Sequence, residues 1–394
     1  MKKDEVTNSV AVQDVTTVKK ADKPEAGRRK FLKTAAAAAG AATVATIGFP
    51  MVSRAETTVL KMQGAWGAKD IFNDFATYYV KRVNEMAGGR LKIQYLISGA
   101  VVKAFRVQDA VHKGVLDAGH QVAVYWYGKS KVASLFGTGP VFGQNAHQGL
   151  AWIYYGGGLD LYNELLANLG LNLVGYFAIP KPTQPLGWFK KPVKSADDMV
   201  GLKYRTVGLA ADLMQKMGVK VTQLPGGEIV PALERGVIEA FEFNNPTSDR
   251  SFGAQDVSKT YMLGSYHQAA EFFEIIFNKD KFNKLADEHK AILRYAAEAA
   301  SSANFWRGQD QYSKDLQWLK NEAGVKLYRT PKSVMEAQLN AWDEILPELE
   351  QDPFFAKVVK SQKAFAKRVA FYDLLNTADY KLAYDHYFPG DLGF

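Results

Sequence analysis

Two short segments of this chain share a pattern that restricts how it can fold. Residues 108–118 read QDAVHKGVLDA, and residues 230–240 read VPALERGVIEA. In each segment, apolar residues at helical spacing end at a glycine, Gly114 or Gly236, and an apolar strand-like run follows at once. Glycine is the residue expected just past a helix end, because it adopts a left-handed backbone without strain. One such match could arise by chance, but LKMQ at 60–63 and LKYR at 202–205 form a weaker second match in the same order. The two matches together favour an α/β fold made of two similar lobes.

Strand-like and helix-like patterns alternate through most of the chain, as expected for sheets covered by helices. The predicted strands are residues 57–63, 91–96, 115–126, 171–177, 187–189, 202–205, 219–221, 237–243, 272–277 and 325–328. The predicted helices are residues 70–86, 108–113, 146–169, 209–217, 228–235, 279–320 and 334–349. Residues 354–380 add a long amphipathic segment near the C-terminus.

These elements divide the chain into four regions. We expect a leader over residues 1–55, a mainly α/β first lobe over 56–180, and a second lobe with the inter-lobe crossings over 181–275. A helical remainder over 276–394 is expected to pack on both lobes and to end in the long C-terminal helix. A cleft between two such lobes is a preferred place for a small ligand.

The leader has the features of an export signal. Arg28 and Arg29 precede a weakly apolar run over residues 34–52, and the small residues Ser53 and Ala55 precede a predicted cleavage site after Ala55. This order is typical of a twin-arginine signal peptide and predicts a periplasmic protein. The alternative is an uncleaved membrane anchor, which the many alanines and glycines of the run disfavour.

Composition excludes several classes of function. The leader contributes +5 to the net charge of +8, so the remainder carries too few clustered basic residues for a nucleic-acid-binding surface. The chain has no cysteine, which excludes disulfides, thiolate metal sites and cysteine nucleophiles. Its six histidines include no pair at i, i+3 or i, i+4, and no GxSxG, Walker or GxGxxG motif occurs. The sequence therefore contains no catalytic signature.

One carboxylate stands out at the end of a predicted strand. Glu242 lies between Phe241 and Phe243, immediately before Asn244-Asn245-Pro246. Strand ends are where α/β folds place ligands. Because a buried carboxylate without a partner is costly, Glu242 needs a cation, which is either a Lys or Arg side chain or a metal ion.

Other residues suit the binding of a small anion. Arg205 ends a predicted strand, and its guanidinium can hold a carboxylate by two hydrogen bonds; the alternative is a structural salt bridge to Asp197 or Asp198. Gln184 lies in a predicted crossing between lobes, where a solvated side chain is the alternative. The aromatic residues that could line a cleft, or simply belong to the core, are Trp66, Tyr125, Trp126, Tyr127 and Trp188.

Four motifs, taken in order, resemble the solute-binding proteins of TRAP (tripartite ATP-independent periplasmic) transporters, in the branch that binds 2-oxo and hydroxy acids. The motifs are FGQN at 142–145, Gln184-x-x-Gly187-Trp188-Phe189, GLKYR at 201–205 and GEIVPALERGVIEAFE at 227–242. The resemblance extends over residues 56–394. It implies a two-lobed periplasmic binding protein fold, and a receptor rather than an enzyme.

The resemblance also implies a role for each site residue. Arg205 would pair with the ligand carboxylate, while Gln184, Glu242 and the backbone carbonyl of Phe243 would hold Na⁺ or Ca²⁺. Such cations accept an all-oxygen ligand set. The family often has Trp at position 243, so Phe243 keeps the carbonyl but changes the pocket wall. The remaining predicted substrate contacts are Trp66, Tyr125 and Asn145.

The partners implied are a small organic carboxylate and a pair of membrane permease subunits, with uptake driven by an ion gradient. Relatives of this branch can dimerise by exchanging a C-terminal helix, which makes residues 354–380 a candidate interface; packing on its own lobe is the alternative. The competing function is a metal-dependent periplasmic enzyme acting on a small carboxylate. Against it stands the lack of a general base beside a nucleophile.

Overall fold

The structure is a computed structural model and describes residues 56–140 and 142–393. The predicted twin-arginine signal lies outside the described residues. The strands are β1 (Thr58–Gly64), β2 (Leu91–Leu96), β3 (Ala118–Gln121), β4 (Leu173–Lys181), β5 (Gly187–Phe189), β6 (Lys203–Arg205), β7 (Lys220–Thr222), β8 (Ala240–Phe241), β9 (Thr260–Leu263), β10 (Glu271–Asn278) and β11 (Lys326–Arg329).

The helices surround these strands. They are α1 (Ile71–Met86), α2 (Val107–His112), α3 (Ala146–Tyr155), α4 (Gly158–Asn168), α5 (Leu209–Lys216), α6 (Ile229–Glu234), α7 (Pro246–Ser251), α8 (Ala254–Val257), α9 (Lys279–Asn283), α10 (Asp287–Asn321), α11 (Lys332–Leu349), α12 (Pro353–Asn376) and α13 (Tyr380–Tyr387). Local chemistry sets where they begin. Asp70, for example, accepts a hydrogen bond from the backbone of Phe72 and caps α1.

The strands form two sheets, and this confirms the predicted α/β fold with two lobes. The first sheet has the order β2-β1-β3-β10-β4, in which β10 runs antiparallel to both neighbours. The second sheet has the order β11-β9-β5-β8-β6-β7, and β5 is the strand antiparallel to its neighbours. The two glycine-terminated helices, α2 and α6, lead into β3 of the first sheet and β8 of the second.

The chain passes between the sheets three times. It leaves the first sheet after β4, returns through residues 264–270 into β10, and leaves again through the 35-residue helix α10. Because β10 lies in the first sheet, the return comes before residue 275, where the sequence placed the end of the second lobe. Helix α10 packs on β4, α1 and α7, and α12 packs on α3 and α4.

Two predicted strands are much shorter in the structure. The run 115–126 forms a strand only at β3, and Ala123–Trp126 is a 3-10 helix. The run 237–243 forms a strand only at β8, so Glu242 lies just beyond it. An unbroken apolar run reports burial rather than backbone conformation, which explains both errors. Strand β9 and the short helices α7 and α8 were not predicted.

No helix within residues 56–140 or 142–393 is both long and apolar enough to cross a membrane.

Gly187 allows β5 to approach the chain at β8 very closely. Its φ is 123°, in the region that favours glycine, and a Cβ placed there would lie 2.1 Å from the carbonyl oxygen of Phe241. The next residue, Trp188, pairs in register with Phe241. Trp188 is also anchored from its ring, since Nε1 donates to Asp249 Oδ2 at 2.8 Å. This close approach fixes the backbone that leads into Glu242.

Gly187→Ala is expected to lower the free energy of unfolding by about 2–5 kcal/mol, since it adds both backbone strain and a clash with backbone atoms. Chemical denaturation measures the change. Gly128→Ala is the matched control, because a Cβ at this exposed position meets no atom within 4 Å. Equal stability of the two variants would contradict the close approach.

Candidate functional site

Arg205 and Glu242 form a fully buried ion pair next to the inter-sheet crossings. Arg205 ends β6, Glu242 follows β8, and these strands are parallel neighbours with Arg205 opposite Phe241. Nη1 of Arg205 lies 3.0 Å from Oε1 of Glu242 and 2.9 Å from its carbonyl oxygen. Of the two alternative partners predicted for Arg205, Asp198 is engaged elsewhere, because its side chain accepts the backbone N–H of Lys194.

The remaining donors of Arg205 are also largely occupied. Nε and Nη2 donate to the carbonyl oxygen of Leu224 at 2.8 and 2.6 Å. A guanidinium has five N–H groups, so only part of its donor capacity is left for a ligand. A ligand carboxylate that takes two N–H groups must therefore compete with Glu242 for Nη1.

Only one oxygen of Glu242 has partners. Oε1 accepts from Arg205 and from Gln268, whereas Oε2 is buried and accepts no hydrogen bond from a described residue. Burial raises the pKa of Glu242 to about 7, although Arg205 and the hydroxyl of Thr206 act in the opposite direction. Because the pKa of this carboxyl group is raised and one of its oxygens has no partner, a cation bound there would lower the free energy of the ionised form.

Gln184 presents a second unpartnered oxygen. Its side chain is buried, and Nε2 donates to Oε2 of Glu271 at 2.6 Å. Its backbone N–H donates to the carbonyl oxygen of Gln268 at 3.0 Å. Oε1 is buried and has no partner among the described residues. The alternative of a solvated glutamine is therefore wrong.

Gln268 joins the two sides of this group and was missed from the sequence. Nε2 donates to Oε1 of Glu242 and to Oγ1 of Thr206, both at 3.2 Å. Its Oε1 is another buried oxygen without a partner. The segment around it carries no motif, so nothing in the sequence marks it. Its position in the returning crossing, residues 264–270, brings it here.

A second buried charge group lies beside the first and joins the two lobes. Lys181 ends β4 and forms an ion pair with Glu271, the first residue of β10. Its Nζ also donates to Oδ1 of Asn244 at 2.9 Å, just past Glu242. Ser248 then donates to Asp70 Oδ1 at 2.9 Å, which links α7 to the start of α1. The crossings are thus held by charged and polar contacts rather than by apolar packing alone.

An open cavity of about 580 Å³ has Asp70, and Phe243 beside Glu242, in its wall. Trp66 and Phe243 line it, and Phe243 also packs with its ring 5.8 Å from the guanidinium carbon of Arg205. A Cβ at Gly226 would lie 2.2 Å from the Phe243 ring, so this glycine leaves room for it. Tyr125 is half-buried, 6.1 Å from Trp66 between ring centres.

Burial raises the pKa of Tyr125, the nearby Arg205 opposes the rise, and Glu271, Asp70 and Glu242 add to it. The hydroxyl is therefore within electrostatic range of both buried charge groups. The structure does not bring Asn145 into this group. Its exposed side chain caps α3 by accepting from the backbone N–H of Gln148, and its substrate contact stays a prediction.

The site is suited to a hard cation and a carboxylate. In residues 56–140 and 142–393, no group of three or more His, Asp or Glu side chains could hold a metal ion. The unpartnered oxygens instead come from one carboxylate and two amides, Glu242, Gln184 and Gln268. Such neutral and singly charged oxygen donors fit Na⁺ or Ca²⁺.

Comparison with known proteins places this geometry in context. Residues 62–352 match the model of the bacterial extracellular solute-binding protein family 7. The chain is similar to a monocarboxylate 2-oxoacid-binding periplasmic protein of Nostoc sp. (strain PCC 7120), with 33% identity over 302 residues, covering 76% of this chain and 82% of the relative.

Solved structures show the same similarity. A TRAP transporter solute-binding protein from Bordetella bronchiseptica, a mixed-occupancy dimer with calcium and picolinate, has a TM-score of 0.78 and 28% identity, covering 84% of this chain and 97% of that one. A TRAP periplasmic solute-binding protein from Pseudoalteromonas atlantica, with sodium and pyruvate, has a TM-score of 0.77 and 28% identity, covering 84% and 100%.

Glu242→Gln is expected to change how the stability of the ligand-free protein depends on pH. Because the folded-state pKa of Glu242 is raised to about 7, its contribution to stability is present at low pH and lost as the pH rises through 7. The Glu242→Gln variant has no carboxyl group at this position, so its stability does not fall in this way as the pH rises. Relative to wild type, it should gain on the order of 2 kcal/mol between about pH 5 and about pH 8.

Denaturant melts in the presence of a chelator measure this difference. Glu336→Gln is the control, because Glu336 is a surface carboxylate in an i, i+4 pair with Lys332. If the pH profile of Glu242→Gln ran parallel to that of wild type, the buried carboxyl would not titrate as described.

Proposed function

Because the chain belongs to the bacterial extracellular solute-binding protein family 7, we propose that it captures a small 2-oxo or hydroxy acid together with Na⁺ or Ca²⁺ in the site around Arg205 and Glu242. The chain is a periplasmic solute-binding protein of a TRAP transporter, as its motifs predict, and it is a receptor rather than an enzyme. It hands its ligand to membrane permease subunits.

The observation that carries the proposal is the pair of unpartnered oxygens next to a buried guanidinium. Oε2 of Glu242 and Oε1 of Gln184 are both buried, and a hydrogen-bond chain through Gln268 connects their residues. A buried oxygen without a hydrogen-bond partner is costly. Two such oxygens in one site therefore indicate that the site binds an ion or ligand that supplies the missing partner. A bound cation supplies positive charge that offsets the carboxylate.

Gln184 and Glu242 would hold the cation, and the carbonyl oxygen of Phe243 is the third proposed protein ligand. Similar proteins support this chemistry, since one binds sodium with pyruvate and another calcium with picolinate. Both ligands are small carboxylates. Phe243 also forms part of the cavity wall, so its side chain influences which acid fits.

Arg205 would hold the ligand carboxylate. Two-pronged binding needs the N–H groups of Nη1 and Nη2, and Glu242 currently accepts from Nη1. When a ligand carboxylate accepts from Nη1, Glu242 loses a hydrogen bond and part of the positive charge that offsets its own charge. The bound cation then supplies positive charge in its place. This competition explains why anion and cation would bind together rather than independently.

Trp66 and Tyr125 would close the cavity over the ligand from the first lobe, while Arg205 and Glu242 belong to the second. Residues 182–186 and 264–270 would act as hinges, because they connect the sheets at the site itself. Such hinge closure is expected of periplasmic binding proteins. Export through the twin-arginine pathway is proposed from the Arg28-Arg29 signal.

Calorimetric titration with potassium pyruvate, with and without calcium chloride, tests the proposed function. Wild type should bind pyruvate in calcium and lose most of the affinity in a chelator. Arg205→Lys keeps the charge but removes the planar fork, so it should weaken pyruvate binding by roughly thirtyfold or more.

Arg250→Lys is the matched control, because Arg250 also pairs with a carboxylate, Asp315, but outside the site. It should bind pyruvate like wild type. Retained pyruvate affinity in Arg205→Lys would show that the anchor of the carboxylate is another residue. Binding that ignores calcium and sodium would argue against the cation.

We also propose that the C-terminal region pairs with a second copy of this chain. The end of α12 exposes four large apolar side chains, and α13 buries none of its residues. The exposed residues of α12 are Phe371, Tyr372, Leu374 and Leu375. Exposed apolar patches of this kind mark interaction surfaces, and the similar Bordetella bronchiseptica protein is described as a dimer.

The double variant Leu374→Glu/Leu375→Glu should convert a dimer to monomer, because two charges would be buried at the interface. Analytical ultracentrifugation should show the dissociation constant raised by roughly thirtyfold or more. Trp306→Glu, an exposed apolar residue of α10, is the control and should leave the dimer intact. A wild-type monomer at all concentrations would contradict the proposal.

A further inference from the structure

Gln268, in the crossing at residues 264–270, contributes a buried side-chain amide beside the proposed ligands of the cation. Gln268 is 0% exposed. One amide nitrogen contacts two acceptors, Oε1 of Glu242 and Oγ1 of Thr206, each at 3.2 Å. These two contacts define which half of the amide faces Glu242.

The contact with Glu242 is selective for one oxygen. Oε1 accepts from Gln268 and from Nη1 of Arg205, while Oε2 accepts from no described residue. Two donors on one oxygen set the rotation of the carboxylate about its last bond. They also leave the other oxygen available in a defined direction, which is the arrangement that a metal ligand needs.

Glu271, three residues after Gln268 in the chain, orients the side chain of Gln184 in the same way. Its Nε2 donates to Oε2 of Glu271, and an ionised carboxylate only accepts. The amide nitrogen must therefore face Glu271, which leaves Oε1 on the other side without a partner. Lys181 forms an ion pair with the same carboxylate.

The same short segment thus contacts both proposed cation ligands. The carbonyl oxygen of Gln268 accepts the backbone N–H of Gln184, while its side chain holds Glu242. Gln184 and Glu242 are 58 positions apart in the chain. One residue therefore sets the spacing between two ligands that come from different crossings.

We propose that Gln268 is a positioning residue for the cation, holding Oε1 of Glu242 so that Oε2 is presented to the ion. This inference rests on the function proposed above and adds the residue that orients its carboxylate. Removing a group that orients a metal ligand typically costs roughly ten- to hundredfold in metal affinity.

Gln268→Met tests the inference, because methionine has nearly the same length but cannot donate. We would titrate calcium chloride into the full-length mature protein with saturating potassium pyruvate and follow the heat released. The expected result is a rise of roughly ten- to hundredfold in the apparent Kd for calcium. A Kd within about twofold of wild type would overturn the inference.

Gln362→Met is the matched control. Gln362 is also a buried glutamine whose Nε2 has one partner, the carbonyl of Leu135, and whose Oε1 has none, but it lies on α12. It should lower the melting temperature without changing the calcium Kd. A similar loss of calcium affinity in both variants would mean that general destabilisation, and not positioning, is the cause.

A double-mutant cycle separates positioning from a purely structural role. Glu242→Asp keeps the charge but withdraws the carboxylate from Gln268, so adding Gln268→Met on this background should cost little further calcium affinity. An undiminished cost would overturn the inference, since Gln268 would then act independently of Glu242. If Gln268→Met does not fold, Gln268→Asn, which shortens the same amide, replaces it.

Failure of the proposed function gives a different result. In that case wild type itself would show no calcium-dependent pyruvate binding, and both proposals would fall together. If wild type shows it and Gln268→Met retains full calcium affinity, the function stands and only the positioning role is lost.

Discussion

The interaction on which the site depends is the buried pair of Arg205 and Glu242. Away from water, a carboxylate must be compensated by nearby positive charge and hydrogen bonds, and here one oxygen is compensated while the other is not. Strands β6 and β8 bring the two residues together, and Gly187 allows β5 to press against the backbone that leads into Glu242. The local architecture of the second sheet therefore serves to hold an incompletely paired charge.

The neighbouring charges extend this constraint across the two lobes. Lys181 and Glu271 stand at the ends of β4 and β10, which belong to the first sheet, and Lys181 also reaches Asn244 beside the second. The proposed ligands of the cation come from the same crossings. In the proposed function, direct contacts would therefore link occupancy of the site to the relative position of the lobes, without a longer pathway between them.

Raised carboxyl pKa values show that ionising the buried carboxyl groups of the site costs free energy. Burial raises the pKa of Glu242 and of Asp249 to about 7, and that of Asp70 to about 6. Each of these groups is thus less stable as an anion in the folded chain than in water. A bound cation would reverse this cost for Glu242, so ligand binding and stability are coupled.

The sequence by itself determined the α/β class and most helix positions, and its motifs offered Arg205, Gln184 and Glu242 as candidate site residues, because periodicity and motifs are local properties. It did not locate Gln268 or Glu271, nor the helix cap formed by Asn145, whose substrate contact stays a prediction. It also extended two strands, since apolar runs report burial more than conformation. Only the tertiary structure decided which oxygens have partners, because those contacts join residues far apart in the chain, and their formation depends on packing that no local pattern encodes.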